Sequence, residues 1–189
     1  MHEVQVTLPT WVVEQVDYDT PCPTAESRMR LAISLARENV VRGTGGPFGA
    51  AVFERESGVL VAVGVNGVTR LNNSTVHAEM VAFQMAGKRI GAYSLRGDGH
   101  PEHEIFSSCA PCAMCLGATL WSGVTRLTYA ALREDAERIG FDEGPVFADS
   151  YAYLRSRGIE IAEGLLRDEA CAVLDRYKAS GGIVYNASA

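Results

Sequence analysis

No apolar run in this sequence approaches the roughly 18 residues that a helix needs to cross a bilayer. The opening stretch, "MHEVQVTLPT", also lacks the basic region and the continuous apolar core of a secretory signal peptide. Low-complexity runs, internal repeats and a Pro/Gly/Ser-rich linker are absent as well. We therefore expect a cytoplasmic protein, neither membrane-bound nor exported.

Cationic residues are few. Lys and Arg together number 17 against 23 Asp and Glu, which gives a formal net charge of -6. Capture of a phosphate backbone needs clustered Lys and Arg, so a nucleic acid partner is disfavoured. With 189 residues, 47% of them hydrophobic, the chain can bury one sizeable core and is short for two independent domains.

Cysteine is scarce and unevenly placed. Of the five cysteines, three crowd together at Cys109, Cys112 and Cys115. An odd number in this arrangement suits a reducing compartment and a metal site better than a disulfide framework. Cys22 and Cys171 stand alone and are interpreted as ordinary thiols.

Apolar spacing predicts alternating helices and strands. The first helix covers Ala25 to Val41, with Thr24 as N-cap and Gly43 as its stop. The runs "AAVFER" and "LVAVGVN" follow a glycine-rich turn and predict an antiparallel hairpin. A second helix is predicted to begin near His77, capped by Ser74 or Thr75.

The second half continues the alternation. "EIFSSC" is typical of a buried strand, and "PCAMCLGATLWSG" of a helix with Pro111 in its opening turn and Gly123 at its end. "VTRLTYAA" and "IEIAEGLL" are strand-like, whereas "REDAERIG", "SYAYLRSRG" and "DEACAVLDRYKAS" are helical. This order predicts an α/β domain with helices on both sheet faces and a hairpin at one edge.

Two short motifs supply metal-ligand chemistry. "HAE" contains His77, and "PCAMC" contains Cys112 and Cys115 at i and i+3, where both thiolates can face one point on a helix. A catalytic zinc takes three protein ligands and keeps its fourth position for water. These three residues therefore predict a catalytic zinc site. Cys109 as a fourth ligand would close that site, so we interpret it as a small buried residue.

Glu79 lies two residues beyond His77, in the first turn beside the metal. It is placed to handle the protons of a metal-activated water without ligating the ion. CxxC alone is also found in redox motifs and zinc ribbons, but a ribbon needs a second CxxC, which this sequence lacks. His100 and His103 lie in the polar stretch "GDGHPEHE" and are predicted to be solvent-exposed.

Together the motifs match the H-x-E…P-C-x-x-C signature of zinc-dependent nucleobase deaminases. The segments "GGPFGAAVF", "GVNGVTRLNNSTVHAE", "CAPCAMCLGATLWSGV" and "IGFDEGP" resemble those of bacterial guanine deaminases of the cytidine deaminase superfamily. The resemblance runs from about Arg28 to Pro145. The C-terminal stretch is similar to a subgroup that deaminates purines and s-triazines.

This resemblance implies a three-layer α/β/α sandwich around a mixed five-stranded sheet, with one zinc ion per chain. It also implies a homodimer and hydrolytic release of an exocyclic amine of guanine as ammonia. Zinc lowers the pKa of bound water to roughly 7, and Glu79 would carry protons to the ring. The backbone N–H of Cys112 is the candidate oxyanion donor. Residues 1–24 form an N-terminal extension, residues 25–180 the catalytic domain, and residues 181–189 a tail.

The same resemblance assigns the substrate contacts. The amide of Asn66 is expected to bond the ring, although an Asn before Gly also suits a simple turn. A carboxylate at Glu143 is expected to hold guanine through its N1–H and N2–H donors and to relay protons to the leaving amine. Five further residues are candidate substrate contacts, namely Phe48, Ala78, Asp142, Trp121 and Tyr185. Tyr185 and Asn186 are candidate lid residues of the tail, over their own or a partner's site.

Several alternatives remain at this point. Guanosine, isoguanine and s-triazines such as ammeline share the same chemistry and are not separated by sequence. A tRNA adenosine deaminase shares the zinc motif but needs a basic face and stacking aromatics. A non-catalytic, zinc-braced interaction module is the alternative of a different class, and Glu79 argues against it.

Overall fold

The computed structural model describes residues 3–97 and 99–186. Its helices are α1 Thr10–Gln15, α2 Ala25–Val41, α3 Val68–Leu71, α4 Ala78–Ile90, α5 Ala113–Ser122, α6 Arg133–Arg138, α7 Ala148–Ser156 and α8 Arg167–Ala179. Its strands are β1 Gly49–Glu54, β2 Leu60–Val65, β3 His103–Cys109, β4 Arg126–Ala131 and β5 Glu160–Glu163.

The five strands form one mixed sheet in the order β2-β1-β3-β4-β5. β1 pairs antiparallel with both β2 and β3, whereas β3, β4 and β5 run parallel. The predicted hairpin is confirmed, and it forms one edge of the sheet. The parallel strands are joined through helices, as parallel connections require.

Helices cover both faces of the sheet, which confirms the three-layer sandwich. Side chains of α1, α2, α6 and α8 pack on one face, and those of α4, α5 and α7 on the other. β1 shows how the strands serve both layers. Ala51 and Phe53 belong to the first core, while Ala50 and Val52 belong to the second, as the two-residue period of a strand dictates.

The local signals at α2 are confirmed. Thr24 accepts a hydrogen bond from the backbone of Ser27, whose side chain in turn accepts from the backbone of Thr24. Gly43 follows the helix with a positive φ of 64°. The reciprocal cap fixes where α2 begins, and the glycine allows the chain to turn away at its end.

Several predicted boundaries were wrong. The N-cap of α4 is His77 itself, so Ser74 and Thr75 do not cap it. Pro111 precedes α5, whose N-cap is Cys112. In both cases a predicted metal ligand occupies the N-cap position, and its side chain makes no capping hydrogen bond.

His103 is not exposed. It opens β3, is 1% exposed, and its Nδ1 lies 2.8 Å from the carbonyl oxygen of Leu95. The short helices α1 and α3 lie in segments for which no element was predicted. Within the described residues, no helix has both the length and the apolar character needed to cross a membrane.

Candidate active site

The candidate site lies where the carboxyl end of β3 meets the starts of α4 and α5. A close approach between β2 and α4 helps to place it. A Cβ atom added at Gly64 would lie 2.0 Å from the carbonyl oxygen of Ala78, so only glycine lets the start of α4 rest this closely on the sheet. This contact positions His77 and Glu79 at the sheet's edge.

His77, Cys112 and Cys115 converge as predicted. The Sγ atoms of Cys112 and Cys115 lie 3.4 and 3.7 Å from Nδ1 of His77, and the three donor atoms lie within 4.8 Å of one another. Zinc bonds of about 2.3 Å to sulfur and about 2.0–2.1 Å to nitrogen at tetrahedral angles separate donor atoms by about 3.5–3.8 Å. The triad therefore fits one zinc ion.

The electrostatic surroundings favour the thiolate form of Cys112. A hydrogen bond from Cys115, assisted by His77, lowers the pKa of Cys112 to about 4. A thiolate is the form that ligates zinc. Cys109 is buried at the end of β3, but its Sγ lies 3.9 Å from the carbonyl oxygen of Leu132 and is not part of the metal-binding group. Three protein ligands leave the fourth position for water.

Glu79 lies beside the triad without joining it. It is 7% exposed, and its Oε1 accepts a hydrogen bond of 3.2 Å from the hydroxyl of Ser107. Oε2 lies 3.4 Å from Sγ of Cys115. Burial raises the pKa of the Glu79 carboxyl above its ordinary value, which suits a group that must take up and release protons near neutral pH.

A cavity of about 480 Å³ opens in front of this group, within the range of small-molecule sites. It brings together most of the predicted contacts. The lining includes Phe48, Asn66, His77, Glu79, Cys112, Asp142, Glu143, Tyr185 and Asn186. Phe141 was not singled out in the sequence, yet it also lines the cavity and packs at 5.0 Å, centroid to centroid, against both Phe48 and Tyr185.

Asn66 faces the cavity with a free donor. Its Oδ1 accepts from the backbone N–H groups of Gly46 at 3.4 Å and Val68 at 3.3 Å. Its Nδ2 is buried and has no hydrogen-bond partner among the described residues. A buried donor without a partner is costly unless a ligand satisfies it. Asn66 therefore both shapes the turn and presents an amide to the cavity.

Glu143 and Asp142 differ in burial. Glu143 is 8% exposed, and burial, together with the charge of Cys112, raises its pKa to about 8. Its carbonyl oxygen accepts from the N–H of Ala113 at 3.0 Å, which ties its loop to the start of α5. Asp142 is exposed, and its Oδ1 accepts from the N–H of Gly144 at 2.9 Å.

The C-terminal segment lies over the cavity. The side chain of Asn186 accepts from the N–H of Asp142 and donates to the carbonyl oxygen of Gly140, both at 2.9 Å. The Tyr185 hydroxyl is buried and has no hydrogen-bond partner within residues 3–97 and 99–186, and burial raises its pKa well above the ordinary value. Residues 187–189 of the predicted tail lie outside the described residues.

Two predicted substrate contacts lie elsewhere. Trp121 is 79% exposed and lines a separate surface depression with Phe83 and Tyr93. Nine residues of helix separate it from Cys112, about 13 Å at 1.5 Å per residue. The side chain of Ala78 is fully buried in the core between α4 and the sheet. Neither side chain lines the candidate site of this chain.

Comparisons with known proteins agree with this geometry. Residues 23–131 match the model of the cytidine and deoxycytidylate deaminase zinc-binding region. A guanine deaminase of Bacillus subtilis is 40% identical over 66% of this chain and 75% of its own length. A solved guanine deaminase from Nitrosomonas europaea is 42% identical, with a TM-score of 0.90 over 94% of this chain and 97% of that chain.

A structure solved in complex with 2,6-diaminopurine is 43% identical, with a TM-score of 0.91 over 98% of this chain and 97% of that chain. The fold and the site thus define a zinc-binding deaminase, an enzyme of the hydrolase class. The chain belongs to the family of cytidine and deoxycytidylate deaminases. His77, Cys112 and Cys115 are the residues that can hold its metal ion.

Proposed function

We propose that this enzyme hydrolyses guanine to xanthine and ammonia. The observation that carries the proposal is the pairing of Glu143 and Asn66 in one cavity with Glu79. In its ionised form the buried Glu143 carboxyl offers acceptors for the N1–H and N2–H edge of guanine, and hydrogen bonds from those donors favour the ionised form. A buried amide with a free N–H offers a donor to an acceptor of the same ring. The similarity to proteins described as guanine deaminases supports this choice of base.

His77, Cys112 and Cys115 would hold zinc, which supplies a water acidic enough to act as nucleophile at neutral pH. Glu79 takes one proton from the attacking water and delivers it to ring atom N3, while the water oxygen bonds to C2. The electron pair of the C2–N3 double bond moves to N3. Glu79 then carries the second proton to the exocyclic amine. The C2–N2 bond breaks, ammonia leaves, and C2 becomes a carbonyl.

The remaining lining residues bind the ring and enclose it. Glu143 holds the N1–H and N2–H edge and assists proton transfer to the leaving amine. The N–H of Cys112 stabilises the negative charge on the attacking oxygen. The next N–H along the chain, that of Ala113, is not available for this role, since it already donates to the carbonyl oxygen of Glu143. Phe48 and Tyr185 form apolar walls for the ring faces.

We assign the lid role to the segment from residue 181. Asn186 holds this segment to the loop that carries Asp142 and Glu143, so closure of the segment and placement of Glu143 are linked. Asp142 contributes mainly through its backbone, which bonds Asn186. Deletion of residues 183–189 should raise KM for guanine and leave zinc content unchanged.

A panel of substrates tests the proposal. The zinc-loaded enzyme is assayed for ammonia release from guanine, guanosine, isoguanine, ammeline, adenine, cytosine and a tRNA. We expect the highest kcat/KM on guanine, with xanthine as the product. A higher kcat/KM on isoguanine or ammeline would support the proposed deamination chemistry and would show that guanine is not the preferred substrate. Activity on the tRNA alone would overturn the proposal, and the acidic balance of the chain disfavours it.

Variants separate catalysis from binding. Glu79→Gln keeps the shape of the side chain but cannot carry protons, so kcat should fall by at least about 100-fold while zinc content stays the same. Glu143→Gln should chiefly raise KM for guanine. Full activity of Glu79→Gln would contradict the mechanism. A wild type that releases no ammonia from any compound of the panel would instead favour the non-catalytic alternative, in which zinc only braces the fold.

We infer that the enzyme is a cytoplasmic homodimer. Trp121 and Tyr93 are 79% and 102% exposed and lie by the same depression between α4 and α5, and clustered exposed aromatics mark protein contacts. All five cysteines are free, as a reducing compartment requires. Light scattering should give twice the chain mass for the wild type and less for Trp121→Glu. A monomeric wild type would reject the dimer.

A further inference from the structure

The N-terminal segment packs against the turn that borders the substrate cavity. Trp11 and Val12 of α1 are 6% and 0% exposed. The indole N–H of Trp11 donates to the hydroxyl of Thr44 at 3.1 Å. The guanidinium of Arg42 lies over the indole ring at 5.5 Å and also bonds Gln15. The extension is thus an integral part of the fold.

The Thr44 hydroxyl also forms a hydrogen bond with a fully buried amide, that of Asn39. The hydroxyl oxygen lies 2.7 Å from Oδ1 of Asn39, which is 0% exposed. An indole N–H can only donate, so the Thr44 oxygen accepts from Trp11 and its own hydrogen is free for Asn39. Asn39 must then present its Nδ2 in the opposite direction. The hydrogen bond from Trp11 to Thr44 therefore fixes the direction of the hydrogen bonds that follow it, from Thr44 and from Asn39.

Asn39 donates both hydrogens of Nδ2 to backbone carbonyl oxygens. One is donated to the carbonyl oxygen of Gly46 at 2.8 Å and the other to that of Asn66 at 2.9 Å. Gly46 in turn donates its N–H to Oδ1 of Asn66. Asn39 therefore fixes the backbone of Asn66 and the group that orients its side chain. We call the hydrogen bonds that run from Trp11 through Thr44 and Asn39 to Asn66 the relay, and the free Nδ2 of Asn66 lies at its end.

The packing around Asn66 leaves little room for another arrangement. A Cβ atom added at Gly45 would lie 1.9 Å from the carbonyl oxygen of Asn66 and 2.8 Å from Nδ2 of Asn39. A second tie reaches the other side of Asn66. Arg70 of α3 donates to the carbonyl oxygen of Thr7 at 2.5 Å. The N-terminal segment thus contacts the chain on both sides of Asn66.

We propose that Trp11, Thr44 and Asn39 are positioning residues that aim the amide of Asn66 at the substrate. The inference rests on the proposed role of Asn66 in base recognition. It makes the N-terminal extension a working part of the substrate site. Loss of the relay should weaken ground-state binding of the base more than the chemical step, because Glu79 and the metal ligands lie outside the relay.

The kinetic test is a double-mutant cycle in the zinc-loaded enzyme. Thr44→Val removes the hydroxyl at nearly constant shape and should raise KM for guanine about five- to tenfold with kcat within about twofold. Trp11→Phe should act in the same direction, and Thr44→Ser should restore most of the wild-type KM. Thr128→Val, a buried threonine on β4 remote from the cavity, is the matched control and should leave KM unchanged.

The cycle distinguishes positioning from general stability. In an Asn66→Ala background, Thr44→Val should change KM no further, whereas independent effects would multiply. A multiplied effect, or a wild-type KM for Thr44→Val, would overturn the inference. An enzyme inactive on guanine would overturn the proposed function instead, and the cycle would be run on the base that is deaminated.

An NMR measurement tests the same inference without any substrate. In ¹H–¹⁵N spectra, the two side-chain amide signals of Asn66 are assigned by their loss in Asn66→Ala. Thr44→Val should shift both signals, and Thr128→Val should leave them in place. If Thr44→Val leaves the Asn66 amide signals unmoved, the relay does not position that side chain, and the inference fails whatever the substrate is.

Discussion

The hydroxyl of Ser107 donates a hydrogen bond to Oε1 of Glu79 across 3.2 Å, from β3 to the first turn of α4. Ser107 is 2% exposed. Its hydroxyl therefore has few other partners, and it holds the carboxylate at the boundary between the sheet and the metal-binding group. The proton carrier of the proposed reaction is thus oriented by a residue outside the cavity lining.

Replacing Ser107 with alanine should slow catalysis without weakening substrate binding. Loss of one hydrogen bond to a charged acceptor corresponds to about a tenfold fall in kcat, with KM unchanged. The hydroxyl also favours the charged form of Glu79, so its loss should raise the pKa of that carboxyl. The acidic limb of the profile of kcat/KM against pH should then move to higher pH.

Ser108→Ala is the matched control for that experiment. It removes an adjacent buried hydroxyl that accepts from the N–H of Gly49 and does not contact Glu79. This variant should lower stability and leave the acidic limb in place. An unmoved acidic limb in Ser107→Ala would show that Ser107 is only a packing residue.

Substitution of Cys115 should remove the metal ion, whereas substitution of Cys109 should not. Cys115→Ala removes a donor of the triad, so zinc content should fall well below the value of about one per chain expected for three intact ligands. Cys109→Ala removes a nearby thiol outside the triad and should keep the ion. Elemental analysis of dialysed protein measures both.

Removal of zinc by a chelator should also change the thermal stability of the protein. Because zinc binds the folded chain, removing it should lower the melting temperature, and adding zinc should restore it. The shift should be absent in Cys115→Ala and present in Cys109→Ala. Loss of zinc from both variants would indicate four cysteine and histidine ligands, and no position for water.

Sequence patterns were informative where the chemistry is local. The triad and Glu79 come from two motifs, each within one turn of a helix start, and helical geometry places their side chains together. Thr24 marks the start of α2 and Gly123 the end of α5 for equally local reasons. The hairpin follows from two apolar runs separated by a short turn.

Residues that reach the site through tertiary contacts were not predictable in this way. Ser107 and Glu79 are 28 positions apart, and Asn39 and Asn66 are 27 apart. No local period encodes such pairs. The only available signal was the position of Ser107 in "EIFSSC" and of Asn66 in "LVAVGVN", two largely apolar runs. His103 was mistaken for a loop residue because its neighbours are polar, whereas the carbonyl of Leu95 satisfies its ring in the core.

α1 was missed because six residues are too few to show a helical period. Its N-cap is Pro9, which offers no side-chain oxygen to cap the helix. Its stability comes from burial of Trp11 and Val12 against the core. Tertiary packing outweighs local propensity in so short a helix.

Stability at acid pH should depend on Asp135 at the start of α6. Its Oδ2 accepts from the N–H of Leu132 at 2.8 Å, and both oxygens bond Arg167. The hydrogen bonds from Arg167 hold the pKa of the Asp135 carboxyl below its ordinary value of 3.8. A lowered folded-state pKa stabilises the protein above the unfolded-state value, and this contribution is lost as pH falls below it.

Asp135→Ala should therefore lower the free energy of unfolding by about 1 kcal/mol at pH 7 through the lost cap. The difference from the wild type should shrink as pH falls below 3.8. Urea unfolding between pH 7 and pH 3 measures both effects. Glu56→Ala removes an exposed acid from the turn between β1 and β2 and should show neither. A difference that stays constant with pH would refute the role of the charge.

Arg28 and Glu104 form a buried ion pair and are 7% and 0% exposed. Arg28 also donates to the carbonyl oxygens of Cys22 at 2.8 Å and Arg55 at 3.0 Å. Removing one partner of such a pair leaves a buried charge without compensation. Arg28→Met should therefore lower the free energy of unfolding by about 3–5 kcal/mol.

Neutralising the second partner should recover part of that loss. Adding Glu104→Gln to Arg28→Met removes the uncompensated charge, so the double variant should be more stable than Arg28→Met alone by more than about 1 kcal/mol. Arg126 lies 3.7 Å from Glu104 but is 36% exposed, and Arg126→Met should cost less than about 1 kcal/mol. Urea unfolding at pH 7 measures the free energy of unfolding of the wild type, Arg28→Met, Glu104→Gln, the double variant and Arg126→Met. A double variant as unstable as the sum of the two single changes would mean that the two side chains do not act as a pair, and that Arg28 stabilises the fold only through the carbonyls of Cys22 and Arg55.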